Sequence, residues 1–193
     1  MENKSRAFSD IHKPYMNNPR TWVIDYVNQL NPNLVIDAGC GRNQYKNKIP
    51  NLIGIDPGDY QNVDMNVSIL DAPFEPECAD VVMAIGSIQF VSFKFIRLNV
   101  SKIVDWVKPS GHIVMRVTMR TDDTLKRIRF DNKVKLVPWT EELIKEITEL
   151  NNLKLVVQPF EEKVTYLKKP ANNLTRVYPA IKKYWVWQKP ERK

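Results

Sequence analysis

Glycine is scarce in this chain, with 6 among 193 residues, yet two of the six stand one residue apart at Gly39 and Gly41. Cysteine and histidine are rarer still, with two of each. Cys40 and Cys78 form no Cys-x-x-Cys pair and lie at no zinc-ligand spacing from His12 or His112, which excludes a zinc-finger or disulfide framework. Both are expected as free thiols in a reducing compartment. No apolar run approaches the roughly 20 residues that span a bilayer. The opening Met1-Glu2-Asn3-Lys4-Ser5-Arg6 leads into no apolar core of the signal-peptide kind. The expectation is a soluble, cytoplasmic protein with no membrane partner.

What is present suits one globular unit. Hydrophobic residues make up 43% of the chain, enough for a substantial core. The formal net charge of +7 favours polyanionic partners in general. The basic residues are scattered, however, apart from the segment 126–135 and the C-terminal tail, so a solvated lysine-rich surface accounts for most of the excess. Residues 1–17 are polar with scattered aromatics and no period, and read as an N-terminal arm or lid. Residues 18–193 read as a single domain.

Asn18-Pro19 has the form of a helix start, with Trp22, Val23, Tyr26, Val27 and Leu30 at helical spacing behind it. Short apolar runs follow at 34–37, 52–56, 63–67 (the weakest), 80–85 and 112–118. Two more come at 153–158 and 183–188. Helical patterns at 93–107 and 138–150, the second with Thr140 as a cap, separate the later runs. Unbroken β-branched runs of this kind suit strands buried on both faces. The alternation defines an α/β chain with a doubly wound, mostly parallel seven-stranded sheet.

In such sheets ligands bind beyond the carboxyl ends of the strands. Gly39 and Gly41 stand just past the first strand, where a chain turning into a helix needs permissive φ and bare N–H groups. Asp37 ends that strand, and Asp56 ends the next, nineteen residues later. A carboxylate at the second position suits the two hydroxyls of a ribose. A dinucleotide fingerprint would need a third glycine where Gln44 stands. Asp37, two residues before the first glycine, would repel a pyrophosphate but attract a cationic tail. The pattern Asp-x-Gly-x-Gly therefore favours an adenosyl cofactor that ends in a cationic amino acid.

The chain here resembles the class I S-adenosylmethionine-dependent methyltransferases, particularly the small type 11-like group. The resemblance covers roughly 33–158. It rests on Val35-Ile36-Asp37-Ala38-Gly39-Cys40-Gly41, on Ile53-Gly54-Ile55-Asp56, on the block from Ala72-Pro73-Phe74 to Asp80-Val81-Val82, and on Val107-Lys108-Pro109-Ser110-Gly111-His112-Ile113. It implies a Rossmann-like sheet with an antiparallel last strand, and S-adenosylmethionine as cofactor. Gly39, Cys40 and Gly41 would admit the methionine part, Asp37 would lie near its ammonium, and Asp56 would hold the ribose with Pro57 beside the adenine. Ser68 and Ile69 fall where the family contacts the adenine, with Ser68 in place of the usual acid and Asp71 as a substitute for it. Ala84, Ile85 and Gly86 would sit beneath the sulfonium, and Gln89 and Phe90 would border the acceptor. Asn43 takes the place of a frequent third glycine.

Methyl transfer is an in-line displacement, so alignment and exclusion of water matter more than a base. If a base is used, His12 and Tyr15 on the arm are the candidates. His112 opens the run 112–118 at the edge opposite the cofactor and reads as structural. Arg116, Thr118 and Arg120 alternate toward one face, where Arg116 and Arg120 could hold an anionic substrate; the competing reading pairs Arg116 with an acid and leaves Arg120 solvated. Arg127, Arg129, Lys133 and Lys135, with Phe130 among them, read as a charged loop. Tyr184 should face away from Trp185, and Trp187 away from Tyr184, with all three packing the last strand.

Ile85-Gly86-Ser87-Ile88 stands where the resemblance would place the Asn/Asp-Pro-Pro-aromatic motif of DNA amino methyltransferases, so DNA is not an expected substrate. A small molecule is the favoured acceptor, and RNA and protein side chains stay open. Two further readings compete: a methyltransferase-like binding module without turnover, and a nicotinamide-dependent oxidoreductase.

Overall fold

The computed structural model describes residues 19–58, 60–89, 93–122, 137–168 and 176–191. The expected arm 1–17, with His12 and Tyr15, lies outside the described residues, as do Phe90 and the basic loop around Phe130. The elements run α1 (Pro19–Gln29), β1 (Val35–Ala38), β2 (Leu52–Ile55), β3 (Ala79–Ile85), α2 (Phe93–Trp106), β4 (Val107–Thr118), α3 (Glu141–Leu150), β5 (Lys154–Lys168) and β6 (Arg176–Gln188). The strands form one sheet in the order β2-β1-β3-β4-β6-β5. Pairing is parallel from β2 through β4, and β6 runs antiparallel to both its neighbours.

Strand alternation sorts the core into two layers. On one face Val35, Val81, Met83, Val114 and Val186 meet Trp22, Val23, Tyr26 and Val27 of α1. On the other, Ile36, Ala38, Val82, Ala84, Ile113 and Met115 meet α2 and α3. Full burial of each Val or Ile contributes about 1.5–3 kcal/mol, which makes β1 and β3 the rigid centre of the molecule. Tyr184 joins the first face while Trp185 and Trp187 join the second, as their alternation requires. His112 packs its ring edge on Tyr26 at the amino-terminal part of β4, and burial lowers its pKa. Thr140 caps α3 by accepting the Leu143 N–H at 3.2 Å, and Glu141 and Glu142 occupy the first turn, where the helix dipole favours acids.

Four features differ from the sequence reading. Among the described residues the sheet has six strands, because the weak run 63–67 keeps only a single bridge, Ile55 to Met65. Its Asp64 is spent on the backbone of its neighbour, accepting the Gly54 N–H, instead of extending a ladder. Behind the glycine pair the chain makes successive turns and no α-helix; Asn43 and Asn47 take left-handed φ of 48° and 64°, which breaks any helix there. Residues 108–111 form an irregularity inside β4, with Ser110 at φ 62° and the register shifted between Ala79 and Val81. The last two strands are also longer than expected. β4 ends opposite Lys182, and β5 and β6 continue past it as a two-stranded ribbon from Lys163–Ile181 to Lys168–Arg176. Charged residues and Pro159 disguise this edge strand in the sequence, as edge strands commonly do.

Candidate functional site

The parallel strands bring Ala38, Ile55 and Ile85 to one edge of the sheet, and the turns beyond them build the candidate site. The Gly39 and Cys40 N–H groups both donate to the Ile55 carbonyl, at 2.8 and 2.9 Å, tying the end of β1 to the end of β2. The Gly41 N–H donates to Asp56 Oδ2 at 2.9 Å, and the Gly58 N–H donates to Asp56 Oδ1 at 2.7 Å. Gly39 and Gly41 have φ of 76° and 54°, the left-handed region. The two serve differently. A side chain on Gly41 would meet nothing within 4 Å, so its backbone faces open space. One on Gly39 would collide with Ser87, whose Cβ lies 2.2 Å from where that side chain would begin.

Asp37 is 2% exposed, and its carboxylate has no hydrogen bond or ion pair among the described residues. Burial, and secondarily the charge of Asp56, push its pKa up to about 7. The neighbouring Cys40 thiol is raised to about 12 by burial and then by Asp37 and Asp56, so it is no thiolate nucleophile at neutral pH.

Asn43 is a buried strut. Its amide donates to the Asn62 carbonyl at 2.8 Å and to Asp64 at 3.1 Å, and Asp64 also pairs with Lys46. Burial raises the Asp64 pKa, but the hydrogen bonds from Lys46 and Gly54 outweigh it and hold the carboxyl below its ordinary value. Pro57 is exposed beside Asp56. Ser68 donates to Asp71 at 2.5 Å and Ile69 is buried, so the acid missing at 68 stands hydrogen-bonded to it.

Gly86, at φ 86°, follows Ile85. A Cβ built on it would lie 3.8 Å from both Arg116 Nη1 and Gln89 Nε2, so these two side chains converge on one point. Arg116 is 5% exposed; its Nε and Nη2 each donate to Glu162 Oε2 at 2.8 Å, and the Tyr184 hydroxyl donates to the same oxygen at 3.2 Å. The paired reading of Arg116 is the observed one. Gln89 is also buried, and its Oε1 accepts the Thr118 N–H at 2.8 Å. Arg120 stands apart, exposed past the end of β4 in a cleft with Glu141, Glu142 and Glu161.

Three residues of this neighbourhood escaped the sequence reading. Ser87 is the contact that requires Gly39, Glu162 is the partner of Arg116, and Tyr60 packs its ring over Gly58, 2.4 Å from where a Cβ there would lie. The Gly58 in Asp56-Pro57-Gly58 was the available signal for Tyr60; Glu162 lies on a strand whose length was not recognised. Among the described residues no cluster of three metal-ligating side chains occurs, and no helix is long and apolar enough to cross a membrane.

No family model matches this chain, and no curated protein sequence does. Solved structures do. YcgJ from Bacillus subtilis superposes with a TM-score of 0.62 at 13% identity, over 82% of this chain and 92% of its own. The N-methyltransferase NodS from Bradyrhizobium japonicum gives 0.57 at 17% identity, over 90% and 98%. The 1,6-didemethyltoxoflavin-N1-methyltransferase of Burkholderia thailandensis, solved with 1,6-didemethyltoxoflavin and S-adenosylhomocysteine bound, gives 0.58 at 12% identity, over 96% and 88%. The chain shares the Rossmann-like fold of these methyltransferase structures, with six strands among the described residues and the antiparallel strand β6 inserted between β4 and β5.

Proposed function

We propose that this protein is an S-adenosylmethionine-dependent methyltransferase that methylates an oxygen or nitrogen of a small, anionic acceptor. Asp37 carries the reading. A carboxylate buried without a partner is costly, and a bound cation beside it would remove that cost. The amino-acid end of S-adenosylmethionine offers an ammonium, and the backbone at Gly41 on the same turn faces open space. The residues therefore fit the cofactor.

S-Adenosylmethionine, when bound, supplies a methyl group on a sulfonium. Asp37 would hold the ammonium, and Gly39, Cys40 and Gly41 would line the methionine part. Asp56 would take the ribose hydroxyls: each of its oxygens already accepts one N–H and keeps a lone pair for another donor. Pro57, Tyr60, Ile69 and the Ser68–Asp71 pair would flank the adenine, and Ile85 and Gly86 would lie beneath the sulfonium. Gln89, Phe90 and Arg116 border the acceptor in this reading, with Arg120 farther out. The protein's share of catalysis is then alignment of the acceptor atom and exclusion of water. In this proposal 18–193 form one domain, 1–17 are an N-terminal arm or lid, and His12 or Tyr15 serves as base where the acceptor must lose a proton.

A nicotinamide dinucleotide is disfavoured by the turns that follow Gly41, since no helix N-terminus is there to receive a pyrophosphate. Calorimetric titration with S-adenosylhomocysteine and with NADH separates the two. Saturable binding of the first and none of the second is expected; the reverse would overturn the reading.

A further inference from the structure

Arg116 and Gln89 near Gly86, and Thr118, whose N–H donates to Gln89, are buried and have polar atoms without partners among the described residues. Arg116 spends Nε and Nη2 on Glu162, which leaves Nη1 without an acceptor. Gln89 spends Oε1 on the Thr118 N–H, which leaves its Nε2 amide free. Thr118, 1% exposed, has a hydroxyl with no partner among the described residues. Arg116 and Thr118 are two apart on β4 and face the same side of the sheet. Each atom can donate a hydrogen bond, and Nη1 and Nε2 lie at equal distance from the point where a Gly86 side chain would stand. The acceptor-only group nearby, Glu162, is already bonded to Arg116 and Tyr184.

We infer that Arg116, Gln89 and Thr118 form a subsite for a carboxylate group of the methyl acceptor. A guanidinium edge and a primary amide present N–H groups that match the two oxygens of a carboxylate, and the bond from Arg116 is charge-assisted. Glu162 disfavours a dianion such as phosphate, because its charge offsets that of Arg116 and would face the second negative charge. Glu162 and Tyr184 hold the guanidinium in place, so they act as positioning residues. Gly86 keeps the approach open, since any side chain there would fill the space between the two donors. The assignment rests on the methyltransferase reading for its role, but the carboxylate site itself does not require cofactor.

The test is a titration of the full chain, with and without saturating S-adenosylhomocysteine, followed by nuclear magnetic resonance of the Gln89 side-chain amide. The probes are acetate, acetamide and inorganic phosphate, at pH 7.5 and matched ionic strength. Acetate is expected to shift the Gln89 amide saturably, with at least 10-fold weaker responses to acetamide and phosphate. Gln89→Glu keeps an acceptor for the Thr118 N–H but replaces the free donor with an oxygen, and should abolish acetate binding as followed on the Arg116 guanidinium N–H resonances, which are also recorded for the wild type. An absent acetate response, or equal responses to acetate and acetamide, in the wild type would overturn the assignment whether or not the variant folds. Failure of S-adenosylhomocysteine to bind, with the acetate response intact, would instead remove the cofactor reading and leave the subsite standing.

Discussion

Ser87 fills the space that any side chain on Gly39 would need. Its Cβ lies 2.2 Å from the position of a Gly39 Cβ, and its hydroxyl donates to the Ala38 carbonyl. This contact locks the turn after β1 against the turn after β3, and so fixes how far Asp37 stands from Gly86. The turn proposed to receive the cofactor and the subsite proposed for the acceptor therefore share one seam.

Gly39→Ala should be destabilising by about 2 kcal/mol or more, because left-handed φ and a steric clash add together. Gly41→Ala meets no neighbour, and only its φ is penalised, at about 1 kcal/mol. Urea denaturation should rank the two in that order. Equal effects would mean that Ser87 yields easily and the seam is soft.

Asp37 sets a pH dependence whose sign is fixed. Its folded pKa is raised to about 7 from the ordinary carboxyl value of 3.8, so its contribution to stability is fully present below about pH 4 and is lost as pH rises through 7. Asp37→Asn removes that loss and should stabilise the ligand-free protein at pH 8, by an amount on the order of a few kcal/mol. The same substitution should weaken binding of a cationic ligand at least 10-fold. Thermal melts across pH 5 to 8, with and without S-adenosylhomocysteine, would read both effects; a variant less stable than wild type at pH 8 contradicts the assignment.

Glu162→Gln leaves the buried guanidinium of Arg116 without its counter-charge. Breaking a fully buried pair costs about 3–5 kcal/mol, and the partial exposure of Glu162 lowers the expectation to roughly 1–3 kcal/mol. Tyr184→Phe should cost less, and a double-mutant cycle should show coupling between the two, since both side chains meet at one oxygen.

Cys40 should react slowly with neutral thiol reagents, because its thiol is pushed up to about 12. Timed alkylation at pH 8 with mass mapping would check this. Rapid modification of Cys40 would show that the turn opens far more than the hydrogen bonds to Ile55 imply.

Much of the sheet was legible because buried parallel strands announce themselves as unbroken β-branched runs, as at Val35-Ile36 and Val81-Val82. The turn residues were legible because few amino acids tolerate positive φ, which marks Gly39 and Gly41. The ribbon of β5 and β6 was not, since an edge strand needs no apolar alternation and Glu161-Glu162-Lys163 looks like a loop. The missing helix behind Gly41 shows the same limit: the asparagines at 43 and 47 were visible, but Asn43 is held by Asp64 and the Asn62 carbonyl, which lie about twenty residues on. Arg116 was singled out by alternation, while its pairing depended on Glu162, 46 residues away and beyond local pattern.

The most direct measurement is calorimetric titration of S-adenosylhomocysteine into wild type and Asp37→Asn at pH 6.5, in two buffers of different ionisation enthalpy. The expected result is binding to wild type with release of a large fraction of one proton, as the ammonium converts Asp37 to its charged form, and weaker binding to the variant with no such release. No binding to wild type, or the same affinity and proton count in both proteins, would contradict the assignment of Asp37 as the anchor of an S-adenosylmethionine site.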